Sequence, residues 1–217
     1  MREKIIANVL GHKIIAIVRG ADPDSVVRIG QALADGGINM IEVTFDQKST
    51  DNYAATLNSI RALNTAFGGK VLVGAGTVLS VEQLKLAKEA GAGYMITPSV
   101  DTEIIRYCRK LDMAALPGAL TPSEAVAAWN AGADFVKIFP AGGLGPSYIK
   151  SIKAPLSHIP LIAVGGVSEK NIGDFLRAGC VGAGCGGPLV RKDLIAEGRF
   201  DELTELAEKF VKAAEEA

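Results

Sequence analysis

Three times along this chain a helical stretch runs through Ala-Gly into a β-rich run: Glu89-Ala90-Gly91-Ala92-Gly93, Asn130-Ala131-Gly132-Ala133-Asp134 and Arg177-Ala178-Gly179-Cys180. Glycine there suits the left-handed residue that ends a helix, so each copy marks where a helix stops and a strand begins. A recurring unit of this kind commits the chain to alternating strands and helices, and strands joined by helical crossovers run parallel. Extending the pattern gives eight strands, near 13–18, 38–44, 70–75, 93–97, 113–117, 134–139, 160–164 and 181–184. Helix starts are marked by Asp22-Pro23, Ser80-Val81-Glu82-Gln83, Thr121-Pro122-Ser123-Glu124 and Ser168-Glu169-Lys170-Asn171. Each opens on a capping oxygen, followed by proline at the first helical position after Asp22 and Thr121 and by a capping-box-like glutamine three residues after Ser80.

Eight such units in 217 residues predict an α/β fold, a single (β/α)8 TIM barrel spanning residues 1–217. An extra N-terminal helix over 2–10 would cover the barrel bottom and a helix over 198–215 would close the ring, with no long disordered tail expected beyond the last few residues. The competing architecture is a doubly wound open sheet, but its G-x-G-x-x-G turn is missing after the first strand, where Arg19-Gly20-Ala21-Asp22 stands.

At 48% hydrophobic and 22% charged, the chain suits one core. Its formal net charge of -1, without a basic stripe, argues against nucleic acid as a partner. The N-terminus has no apolar core of signal-peptide length and no later run reaches the ~20 apolar residues of a membrane span, so we expect a soluble, cytoplasmic protein with no membrane partner. Cys108, Cys180 and Cys185 show no C-x-x-C spacing and are odd in number, which predicts reduced packing residues. His12 and His158 are far apart in sequence and form no ligand motif, so no transition metal is expected, leaving open only an all-oxygen magnesium site.

The candidate chemistry lies in polar residues inside apolar strands. Lys137 sits within Phe135-Val136-Lys137-Ile138-Phe139-Pro140, where desolvation would strip its proton and leave a nucleophilic amine. The structural alternative is a buried ion pair with a core carboxylate. Glu42 in Met40-Ile41-Glu42-Val43-Thr44 and Thr77 in Val73-Gly74-Ala75-Gly76-Thr77-Val78 occupy comparable positions. With Arg19, Pro98 and Pro117 they fall at or near strand C-termini, where a barrel assembles its site. Strand alternation turns Lys137 inward with Phe135, and Glu42 inward with Met40 and Thr44. Gly165-Gly166 and Gly186-Gly187 follow the last two strands, where this fold commonly binds phosphate through backbone N–H groups.

The segments Gly37 to Thr44, Gly74 to Leu79, Phe135 to Ala141 and Val164 to Val167, in this order, resemble the 2-keto-3-deoxy-6-phosphogluconate (KDPG) and 4-hydroxy-2-oxoglutarate (KHG) aldolase family over almost the whole chain. This family includes the aldolase for the galactonate epimer (KDPGal). The resemblance implies a class I aldolase without cofactor or metal, a homotrimer of barrels, acting on a phosphorylated keto acid and releasing pyruvate. It assigns Lys137 as the Schiff-base lysine, Glu42 as the acid/base carboxylate and Thr77 as a contact to the pyruvyl part. Pro98 and Phe139 line the pocket, and Arg19 contacts substrate. Asp46 replaces an arginine frequent in the gluconate branch, and Gly187 replaces a serine that often contacts phosphate. Val164 and the segment Leu144 to Lys150 look more like the galactonate branch. The rival readings are a non-covalent sugar-phosphate epimerase, with Lys137 and Glu42 as acid and base, and a non-catalytic sugar-phosphate sensor.

Overall fold

Nine parallel strand segments run around the centre of the molecule in the order β5-β4-β3-β2-β1-β9-β8-β7-β6. They are β1 Ile14–Val18, β2 Met40–Thr44, β3 Leu72–Gly76, β4 Tyr94–Ile96, β5 Ala114–Leu116, β6 Gly118–Ala119, β7 Val136–Ile138, β8 Leu161–Val164 and β9 Cys180–Cys185. The computed structural model describes residues 1–49, 51 and 53–217.

The two ends of this order, β5 and β6, are consecutive in the chain on either side of Pro117. They are one barrel strand interrupted by a residue with no N–H to give to a ladder. β5 pairs with β4 and β6 pairs with β7, so the fifth of the eight expected strands closes the sheet as two short pieces. The Pro117 carbonyl still accepts from Lys137 N–H at 2.9 Å, which keeps the break narrow.

The helices pack outside: α1 Arg2–His12, α2 Pro23–Asp35, α3 Ala54–Phe67, α4 Val81–Glu89, α5 Thr102–Lys110, α6 Pro122–Asn130, α7 Gly145–Lys153, α8 Ile172–Arg177, α9 Lys192–Ala196 and α10 Phe200–Glu215. Gly91, Gly132 and Gly179 hold φ of 100°, 102° and 112°, which explains the repeated Ala-Gly at the helix ends. Thr121 and Glu124 form a complete capping box at α6. At α4 the Ser80 hydroxyl caps Gln83 N–H at 3.1 Å, but the Gln83 amide accepts from Leu79 N–H instead of closing the box. The start expected at Ser168 is a turn, in which Asn171 Oδ1 accepts from Ser168 N–H at 2.8 Å, and α8 begins at Ile172.

Two apolar layers result. The larger lies between sheet and helices. The smaller fills the barrel with Ile15, Met40, Leu72, Tyr94, Ile96, Leu116, Phe135 and Ile162, plugged from below by Ile5 and Val9 of α1. Burying each of those two plug residues contributes about 1.5–3 kcal/mol, which makes α1 part of the barrel. Asp134 fastens it: its carboxylate accepts from Ala115 N–H at 3.0 Å, from Arg109 and from Arg2 of α1. The closing helix ends at Glu215, as expected; near its end Ala214 is buried and its carbonyl accepts from Lys13 Nζ at 3.1 Å. Cys108, Cys180 and Cys185 are free and buried. No helix among the described residues is long and apolar enough to cross a membrane.

Candidate active site

Glu42 and Lys137 reach the barrel interior from opposite sides of the ring, with 2% and 7% of their surfaces exposed. β2 turns Met40, Glu42 and Thr44 to one face by its two-residue period, and Met40 lies in the interior layer beneath the carboxyl. The same alternation on β7 puts Phe135 in that layer with Lys137 one step above it.

The carboxyl fits because β3 offers no side chain where Glu42 leans over it. A Cβ built on Gly76 would stand 1.7 Å from Glu42 Oε1. One row below, a Cβ on Gly74 would stand 2.2 Å from the Tyr94 ring.

Burial first sets the electrostatics. It pushes the Glu42 carboxyl above its ordinary range, while the Lys137 and Arg19 charges pull the other way. Burial likewise drives the Lys137 amine below the ordinary lysine range, opposed by Glu42 and reinforced by Arg19. Both shifts favour the uncharged forms, a free amine beside a protonatable carboxyl. The ion pairs within 4.0 Å lie elsewhere in the protein, and among the described residues none engages Lys137 or Glu42. Lys137 Nζ stands instead 4.7 Å from the centre of the Phe139 ring. The geometry therefore differs from a tight structural ion pair.

A cavity of about 700 Å3 opens beside Phe139, and neither Glu42 nor Lys137 lines it. Arg19, Phe139, Val164, Gly165, Gly166, Gly186 and Gly187 all line it, so seven residues singled out from sequence converge on one space. Phe139 joins the two parts of the site, since its ring lines the cavity and also faces Lys137. Among the described residues, the N–H groups of Gly165, Gly166, Gly186 and Gly187 donate to no acceptor of the protein. Gly165 and Gly166 have φ of 87° and 75°, and Gly166 passes so close to Gly142 that a Cβ would meet its Cα at 3.0 Å. Unpaired N–H groups on backbone of this kind suit a small anion.

Thr77 and Pro98 do not line this cavity. They follow the C-terminal ends of β3 and β4, and Pro98 packs against Gly118 so closely that a Cβ there would meet its carbonyl at 2.5 Å. Thr77 has φ 56°, a left-handed conformation costly for a β-branched residue. Its carbonyl accepts from Gln47 Nε2 at 2.8 Å, and Gln47 Oε1 in turn accepts from Gln83 Nε2 at 2.9 Å. This amide chain holds Thr77, and sequence reasoning missed it because its members are far apart in the chain. It also missed Gly74, Gly76 and Tyr94. The tyrosine's place in the apolar strand Gly93-Tyr94-Met95-Ile96 was the available signal.

Among the described residues, no group of three or more His, Cys, Asp or Glu side chains is arranged to hold a metal.

Comparison with known proteins gives a consistent result. The family model for KDPG and KHG aldolase matches residues 5–206. The 2-dehydro-3-deoxy-6-phosphogalactonate aldolase of Escherichia coli strain K12 is 38% identical over 205 residues, covering 94% of this chain and 95% of its own. The 2-dehydro-3-deoxy-phosphogluconate aldolase of Haemophilus influenzae is 30% identical over 211 residues, covering 96% of each. A solved native KDPGal structure superposes with a TM-score of 0.84 at 38% identity, covering 94% of both chains.

Proposed function

Since the chain belongs to the KDPG and KHG aldolase family and is thus an aldolase, a carbon–carbon lyase, we propose that it cleaves 2-keto-3-deoxy-6-phosphogluconate or its galactonate epimer through a Schiff base on Lys137. The observation that carries this reading is Lys137 itself, buried, without an ion-pair partner among the described residues, and with its amine held below the usual lysine range by desolvation.

In this scheme the neutral Lys137 amine adds to the C2 ketone, and loss of water from the carbinolamine gives a protonated imine. The iminium accepts the electron pair of the C3–C4 bond. Glu42 passes protons during carbinolamine collapse, then takes the proton of the C4 hydroxyl as that bond breaks. Glyceraldehyde 3-phosphate leaves. The enamine is reprotonated at C3 and hydrolysed, returning Lys137 and releasing pyruvate. Arg19 and Thr77 hold the substrate carboxylate, Pro98, Phe139 and Val164 line the sugar chain, and the N–H groups of Gly165, Gly166, Gly186 and Gly187 hold the phosphate.

Cleavage of 4-hydroxy-2-oxoglutarate to pyruvate and glyoxylate, a cytoplasmic location and a homotrimeric assembly belong to the same proposal. The exposed Leu79, Leu120 and Leu144 support the assembly, because all three follow strand C-termini at one end of the barrel. Sedimentation of the purified protein tests it.

Incubation with pyruvate and sodium borohydride, followed by peptide mapping, tests the chemistry. A reduced pyruvyl adduct on Lys137 is expected. Its absence from active protein would overturn the covalent scheme in favour of a non-covalent epimerase using the same lysine and glutamate.

A further inference from the structure

One register row crosses the barrel interior from β1 to β5: Ile17, Glu42, Gly74, Tyr94 and Ala114 are successive partners. Glu42 and Tyr94 are therefore two strands apart, with a residue lacking a side chain between them. The Tyr94 ring uses that space. A Cβ on Gly74 would lie 2.2 Å from Tyr94 Cε2 and 2.4 Å from both Cδ2 and Cζ, so one edge of the ring lies over β3. Glu42 leans over β3 from the other side, against Gly76. Glu42 Oε2 and the Tyr94 hydroxyl are both buried, and among the described residues neither has a hydrogen-bond partner. One is an acceptor and the other carries a donor. Two orphaned polar groups in one apolar layer are costly unless they serve each other.

We propose that Tyr94 is a positioning residue for Glu42, its hydroxyl donating to Oε2 through one bridging water. The proposal rests on the acid/base role given to Glu42 above. Occupying Oε2 from below leaves Oε1 to face the reacting atoms and stops the carboxyl from rotating. The donated bond also favours the carboxylate over the acid. Lys137 from β7 and Arg19 from the end of β1 are the other charged groups acting on Glu42. The inward positions of β3 and β5 (Leu72, Gly74, Gly76, Ala114 and Leu116) and the α1 plug (Ile5 and Val9) bring no titratable group. The influence runs both ways: burial, and then the Glu42 carboxylate, push the Tyr94 phenol well above its ordinary range.

The test is a carboxyl 13C NMR titration of protein labelled at glutamate, with Glu42→Gln identifying the resonance. Tyr94→Phe keeps the ring that fills the space over Gly74. It is expected to raise the Glu42 midpoint by about one pH unit and to carry the acid limb of the kcat profile upward with it. An unmoved or lowered midpoint would overturn the proposal, since a purely structural ring leaves the titration in place. If Tyr94→Phe fails to fold, incorporation of 3-fluorotyrosine, a stronger donor, should lower the midpoint, and no movement again refutes it. The NMR reading needs no turnover. A wild-type protein that forms no pyruvate adduct would therefore defeat the aldolase scheme while the Tyr94–Glu42 contact is judged separately.

Discussion

Gly76→Ala adds one methyl group at the point of closest approach between β3 and the Glu42 carboxyl. The new Cβ would stand 1.7 Å from Oε1, whereas real Cβ contacts essentially never fall below 3.0 Å, so the two atoms must separate by more than about 1 Å. The backbone does not object, because Gly76 is absent from the residues with positive φ and lies in extended strand. β3 is paired on both sides, to β2 and β4, so the carboxyl gives way rather than the strand. Misplacing a reacting group by about 1 Å costs roughly 10²-fold in rate, and overpacking of this kind costs about 1–3 kcal/mol. We therefore expect kcat to fall about 100-fold, with a melting-temperature drop of roughly 2–12 °C for a domain of this size. The assays are steady-state cleavage coupled to pyruvate detection, and thermal melting. Glu42→Asp, one methylene shorter, should recover much of the lost stability in the Gly76→Ala background but not the activity. A folded Gly76→Ala enzyme with near-normal kcat, or a double variant no more stable than the single one, would refute the steric reasoning.

Other expectations concern charge, phosphate and the barrel bottom. Lys137→Ala should abolish both turnover and the borohydride adduct, and Glu42→Gln should slow cleavage by at least about a hundredfold. Because the Glu42 carboxylate holds the Lys137 pKa up against desolvation, Glu42→Gln should lower that pKa further. The amine is then freed at lower pH, and the midpoint of pyruvate trapping with cyanoborohydride should move down; an upward move would contradict the assignment. Gly166→Ala, at φ 75° and against Gly142, should raise KM for the phosphorylated substrate about tenfold or more while leaving pyruvate trapping intact. Asp134→Ala removes a carboxylate whose side chain is 3% exposed and which ties Arg2, Arg109 and Ala115 N–H together. Its guanidinium partners can rehydrate, so we expect a loss of about 2 kcal/mol in urea denaturation, with kcat unchanged.

Much of this was written locally in the chain. The Ala-Gly helix ends, the capping box at Thr121 and the apolar runs depend on residues within a few positions of one another, so the order of βα units and the strand ends could be read directly. The unusual lysine and glutamate stood out for the same reason, as charges among apolar neighbours. One local signal misled, because a competing local hydrogen bond prevailed. Ser168 resembles a helix start but heads a turn that the Asn171 side chain closes.

The sequence by itself determined an eightfold parallel α/β repeat and the types of reactive group at its strand ends, since both follow from periodicity and residue chemistry. Only the tertiary structure decided that Pro117 splits the closing strand, that Gly74 and Gly76 clear space for Tyr94 and Glu42, and that Lys137 is buried with no ion-pair partner among the described residues. Register and burial depend on residues brought together from distant strands. The shifted proton affinities of the site arise from that enclosure, which no short stretch of sequence can specify.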